Sequence, residues 1–182
     1  MGRMEGTGRR LARENDGQSL IEIALMMPLL TLLMAYVIDF GYFFIAAASI
    51  TSAARNAAQY SIMGYEGPAQ TNVPPAGPVT TTNSVAAVAM ADLTSLIASS
   101  TTTTVQVCTK ASGMSGTVPV CSSYGPAGTT YAVPADPEAP TFVLQRVDVT
   151  YTVQPPVPMT FFKVSFLPNL KFHRQVSMRA MD

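Results

Sequence analysis

Apolar and polar positions are unevenly distributed along this chain. From Ile23 to Ile38 no residue carries a charge, and Leu20 to Ile38 is about the length of helix that crosses a bilayer core. Each centrally placed Leu, Ile or Val favours insertion by roughly 0.5 kcal/mol, which together outweighs the cost of Glu22, Pro28 and Thr31. The run predicts one membrane helix, kinked locally at Pro28, where a backbone donor is lost. Ser19 with Glu22 three residues on has the spacing of an N-terminal capping box. Beyond Asp39 the pattern changes without breaking. Ala47, Ile50, Ala54, Ala57, Ala58 and Ile62 form one stripe and Ser52, Arg55, Asn56 and Gln59 another. The helix is therefore expected to continue to Ile62 as a stalk and to end at Gly64.

After the helix the periodicity shortens. Gly67 to Thr82 holds Pro68, Pro74, Pro75, Gly77 and Pro78 and reads as an extended connector. Asn83 or Thr82 then caps a short helix to about Ala98, with Ala86, Met90, Leu93, Leu96 and Ile97 on its apolar face. Strand-like alternation follows. Val105 and Val107 mark Thr102 to Thr109, and Val118 to Cys121 is a short strand. Over Val143 to Val153, Val147, Val149, Tyr151 and Val153 lie on one face and Asp148, Thr150 and Thr152 on the other. Phe172, Arg174, Val176 and Met178 alternate with His173, Gln175, Ser177 and Arg179 in a final strand. An antiparallel pair of the last two strands closes a small sheet against the helices, so the fold class is α+β. The division is a leader over 1–17, a membrane helix over 18–39, an extracytoplasmic helix extension over 40–64, a Pro/Gly linker over 65–82 and an extracytoplasmic α+β domain over 83–182.

Charge sets the orientation. Arg3, Arg9, Arg10 and Arg13 precede the apolar run, and the next basic residue is Arg55. Basic flanks stay in the cytoplasm, so the N-terminus is placed inside and the C-terminal domain outside the membrane. The residues before Gly17, rich in Gly and charge, read as a disordered leader. Tyr36, Phe40, Tyr42, Phe43 and Phe44 suit an interfacial aromatic belt, and Gly41 permits close helix approach. With a formal net charge of zero and 12% charged residues, the chain lacks the basic excess of a nucleic-acid binder. The 182 residues leave room for one modest extracytoplasmic core.

Few residues offer chemistry. Glu22, one turn into a membrane helix, is costly unless it is paired or stays near the headgroups. Asp39 falls at the outer boundary, where a solvated carboxylate is expected. Cys108 and Cys121 would lie in an oxidising compartment, joined by a loop carrying Gly113, Gly116 and Pro119, and a disulfide between them is expected. His173, the single histidine, stands between Lys171 and Arg174 as a polar strand residue. No nucleophile elbow, phosphate loop or metal-ligand cluster appears, so neither enzymatic activity, a metal nor a cofactor is expected.

The stretch Gly17-Gln18-Ser19-Leu20-Ile21-Glu22, followed by an apolar helix, resembles a prepilin processing signal. Together with Pro28, Asp39-Phe40-Gly41, the helix Ala53-Ala54-Arg55-Asn56-Ala57-Ala58-Gln59-Tyr60 and the closing Val176-Ser177-Met178-Arg179, it resembles the TadE-like family. Asn15-Asp16 stand where many prepilins carry a basic residue. The resemblance implies a minor pilin or pseudopilin of the tight-adherence (Flp) pilus, a type IV pilus serving adhesion or secretion. It implies a cut between Gly17 and Gln18 by a prepilin peptidase, and Glu22 pairing with the new amino group of a neighbouring subunit. It also makes Asp39 and Gly41 candidate helix-interface residues. The partners implied are the membrane, other pilins or pseudopilins and the pilus assembly machinery, with no nucleic acid. The alternative is a membrane-anchored extracytoplasmic binding protein whose helix is only an anchor. A third reading, a secreted soluble protein cut near Ala46-Ala47-Ala48-Ser49, conflicts with the length of the apolar stretch and with Asp39 inside it.

Overall fold

The computed structural model describes residues 8–63, 73–81, 83–94, 102–126, 130–133, 142–157, 160–161, 164–165 and 169–181. Its architecture is α+β: a long helix α1 (Gly8–Ile62), a short helix α2 (Val85–Thr94), and antiparallel strands. By contacts the chain divides into two units, Met1–Tyr42 and Phe43–Asp182.

In the first unit α1 is helical from Gly8, where a disordered leader was expected; residues 1–7 lie outside the described ones. The difference has a simple cause. Arg9 to Glu14 are mostly strong helix formers, and adding a residue to an existing helix is far cheaper than nucleating one. Ser19 accordingly lies inside the helix and is not its cap. The helix also runs through Pro28, and Thr31 Oγ1 donates to Met27 O and Pro28 O, both at 3.0 Å. Leu20, Ile21, Leu25, Leu29, Leu33, Met34 and Val37 are all exposed. Such a surface requires an apolar medium or an apolar partner. Among the described residues this is the one helix long and apolar enough to cross a membrane, with a mean hydropathy of 2.2 in its most apolar window.

The second unit begins inside the same helix. Ala46, Ile50, Ala53, Ala54, Ala57 and Ala58 are fully buried, so Phe43–Ile62 is part of the core of the second unit rather than a bare stalk. Small side chains let this face approach its neighbours closely. Phe43 lies 6.4 Å, ring to ring, from Phe172, Asn56 Nδ2 donates to Asp92 Oδ2 (2.6 Å), and Arg174 Nε donates to Thr51 Oγ1 (3.2 Å). The helix ends as expected at Ile62, where Met63 N–H turns back to Tyr60 O; Gly64 lies outside the described residues.

Helix α2 is capped by Ser84, whose Oγ accepts from Ala87 N–H at 3.1 Å, one position after the expected Asn83 and two after Thr82. It buries Val85, Ala86, Ala89, Met90 and Leu93; its expected continuation to Ala98 lies outside the described residues. Of the connector before it, 73–78 is irregular, and Val85 and Ala86 N–H bond Pro75 O and Ala76 O.

The main sheet comprises β1 (Thr103–Cys108), β4 (Cys121–Tyr124), β5 (Phe142–Val153) and β8 (Leu170–Met181), in the order β4-β1-β5-β8. The expected antiparallel pairing of the last two strands is present, from Phe142↔Met181 to Val153↔Leu170. Two small hairpins, β2 (Met114–Ser115) with β3 (Val118–Pro119) and β6 (Thr160–Phe161) with β7 (Val164–Ser165), lie in the connections. The apolar side of the sheet carries Val105, Val107, Val147, Val149 and Val153, all fully buried; α2 packs on β1. Each such side chain contributes roughly 1.5–3 kcal/mol by leaving water. Gly125, just past β4, has φ +112 and lies so close to Thr103 O that a side chain would strain both the turn and the contact.

Candidate functional site

Two regions are candidates, and they differ in kind. The first is the N-terminal part of α1. Gly17, Gln18 and Glu22 are all exposed on the helix, and a methyl group added at Gly17 would meet nothing within 4 Å. Glycine inside a helix costs about 1 kcal/mol relative to alanine, and among the described residues no close contact requires one here. Glu22 would be Gln18's near neighbour on one helix face, four residues on.

Asp39 and Gly41 fall on different sides of α1. Asp39 is fully buried, on the stripe that also carries Ala35, Phe43 and Ala46, whereas Gly41 is exposed and open on all sides. Two residues along a helix is just over half a turn, which separates them. The solvated carboxylate expected at Asp39 is therefore corrected: a position spaced four residues from Phe43 shares its inward face.

The second region is the polar side of the sheet, and the sequence analysis missed it. Arg146 and Asp148 both point to this side of β5. Arg146 Nε and Nη2 donate to Asp148 Oδ2 and Oδ1 at 2.6 and 2.9 Å, a two-pronged pair with side chains 5% and 0% exposed. His173 of β8 reaches the same carboxylate, with Nε2 at 2.9 Å from Oδ1. A carboxylate only accepts, so Nε2 carries the proton of that bond.

A strap of residues 130–133 covers this group. Arg146 Nη1 donates to Ala132 O (2.9 Å). The Gln106 amide takes Tyr131 at both ends of its peptide: Nε2 to Tyr131 O and Tyr131 N–H to Oε1, each 2.8 Å. The Tyr131 ring stacks on His173 with centroids 3.8 Å apart and an 8° tilt. Asp148 thus holds Arg146, which in turn bonds the strap, and ties His173 of β8 to β5. The arrangement joins β5, β8 and the strap.

Beside the strap lies an open depression of about 420 Å³ lined by Gln106, Pro119, Ser123, Tyr131 and Val133 among others. Among the described residues its lining is apolar and neutral polar, offering shape and hydrogen-bonding groups. Cys108 and Cys121 flank it as a disulfide between paired positions of β1 and β4, as expected from their spacing. Among the described residues there is no group of three or more His, Cys, Asp or Glu placed to hold a metal ion.

Comparison with known families places the first region. Residues 17–59 match the family model described as TadE-like protein. This segment is similar to the TadE-like family over 17–59, less than half of the chain. The match begins at Gly17 and ends at Gln59, taking in the apolar run, Asp39 and the alanine-rich helix face. A TadE-like segment suggests a component associated with the Tad pilus, and its apolar helix suggests membrane anchoring. No curated protein and no solved structure matches the chain. Residues 60–182, including the strap and its buried ion pair, therefore stand outside the TadE-like match and rest on their own geometry.

Proposed function

We propose that this chain is a TadE-like minor pseudopilin, a non-enzymatic structural component of tight-adherence pilus assembly. Its N-terminal helix anchors in the cytoplasmic membrane and packs with other pilins, and its outer domain is presented on the far side. The observation that carries this reading is the TadE-like match laid over the exposed apolar stretch of α1 that Gly17 and Glu22 precede. Gly17 has no packing role within the chain, which suits a residue kept for a peptidase. Glu22 is exposed on a surface that lipid would otherwise cover, which suits a carboxylate awaiting a cation from a neighbour. Cleavage at Gly17 supplies that cation as the amino group of Gln18. The disulfide is in keeping with an outer domain beyond the cytoplasm.

The test is the mature N-terminus of membrane-fraction protein made with and without a prepilin peptidase. A peptidase-dependent start at Gln18, with loss of pili but not of membrane insertion in Gly17→Ala and Glu22→Ala, is the expected result. An unprocessed chain together with normal pili in both variants would sink the proposal.

A further inference from the structure

We propose that the Cys108–Cys121 disulfide is a thiol-exchange site of fixed polarity: a small thiol attacks Cys121 Sγ from the open edge of the sheet, and Cys108 leaves as the thiolate. The site belongs wholly to the second unit and stands whether or not α1 anchors in a membrane.

Sheet order sets the polarity. In thiol–disulfide exchange the attacking thiolate approaches along the S–S axis, from the side opposite the sulfur that leaves. The bond here joins directly paired positions of β1 and β4, and β4 is an edge of the sheet. An in-line approach to Cys121 Sγ therefore comes from beyond β4, where no strand lies among the described residues. Cys121 is half-buried and lines the open depression of about 420 Å³. The in-line approach to Cys108 Sγ comes instead from over β5. There Arg146 stands directly opposite Cys108 on the same side of the sheet, fixed by Asp148 and the strap, and β3 packs against β5. Cys108 is 0% exposed.

The surroundings of Cys108 also fit a leaving group. Gln106 Nε2 lies 3.7 Å from Cys108 Sγ, in position to donate. The Arg146 side chain starts about 5 Å away across the ladder. A hydrogen-bond donor and a cation stabilise the negative charge that builds on the departing sulfur. At Cys121 the depression offers neutral groups, with the Ser123 and Thr130 hydroxyls in its walls.

The step is balanced. The incoming thiol gives its proton to solvent, and its electron pair forms the new S–S bond to Cys121. The electron pair of the old bond stays on Cys108, so one disulfide is consumed and one formed. The Gln106 amide that serves Cys108 holds the Tyr131 peptide at both ends as well, so capture of a thiol acts directly on an anchor of the strap.

The test uses the full-length oxidised protein in detergent with reduced glutathione as the thiol. The reaction is trapped with N-ethylmaleimide in denaturant and digested without reductant. Lys110 lies between the two cysteines, so trypsin separates them for mass mapping. Expected is glutathione on Cys121 with maleimide on Cys108, in roughly tenfold excess over the reverse. Ser123 and Thr130 are exposed in opposite walls of the depression. Ser123→Trp and Thr130→Trp, each verified to form the disulfide, should slow capture by roughly tenfold. An even split, or glutathione mainly on Cys108, would overturn the proposal. So would capture at the wild-type rate in both variants, or capture that takes place only once the protein is unfolded.

Discussion

Asp148 carries more of the outer unit than any other side chain on the polar side of the sheet, because it is buried and accepts from both Arg146 and His173. Removing one partner of a buried pair leaves the other charge uncompensated, which costs more than the pair itself contributes. Asp148→Ala is therefore expected to lower stability by about 3–5 kcal/mol, read as a shift in the urea midpoint of the solubilised protein. Replacing Arg146 and Asp148 together by apolar residues of similar size should recover much of that loss; full persistence of the loss would mean that Asp148 acts through something other than Arg146. The sequence showed Asp148, Thr150 and His173 on alternating strand positions but not that this face is covered. Alternation tells which residues share a side, and here both sides are buried at Val149 and at Asp148. The cover comes from Tyr131 and Ala132, in a stretch with no periodicity, so only the fold brings it to Arg146.

At the scale of elements, the strands with unbroken apolar alternation were legible to within a residue or two. The expected Val143 to Val153 is β5 from Phe142, and the final strand begins at Leu170. Helix α2 was found, with its cap misplaced by one or two positions, since Thr82, Asn83 and Ser84 are all competent caps and only backbone geometry selects Ser84. Sheet order was not legible, because β1 pairs β5 across a long excursion that includes β4, and no local signal encodes that. Within this excursion the disulfide closes a short loop, at a sequence separation of 13, and ties edge strand β4 to β1. A loop of this size is worth about 3 kcal/mol in the unfolded chain's entropy. Replacing both cysteines by serine should cost about that much and should free β4 to exchange its amide protons before β5 does. Hydrogen exchange that is unchanged in β4 would show that the strand is held by its hydrogen bonds and the strap instead.

For the whole molecule, the decisive distinction is between a helix that anchors and a helix that recognises. Gly17 and Glu22 were legible as a spacing, yet nothing within one chain explains either, since both are exposed and neither makes a contact that the fold needs. A membrane anchor requires only length and apolarity, which many sequences satisfy. A packing helix requires particular shapes on its surface, and association in lipid gains nothing from apolarity alone, because lipid tails are equally apolar. Substituting an unrelated apolar helix for Leu20 to Ile38, with Gly17 to Glu22 and the buried face from Asp39 onward retained, separates the two. The core of the second unit should survive the exchange, because the buried helix face from Asp39 onward is retained. Membrane insertion should survive too, and the disulfide should still form. If the chain works as a pseudopilin, piliation should nevertheless fail, since the exposed surface over Leu25, Leu29 and Met34 would no longer fit its neighbours. Pili at normal number, counted by electron microscopy on cells carrying the exchanged helix, would reduce α1 to an anchor and shift the function to the outer unit.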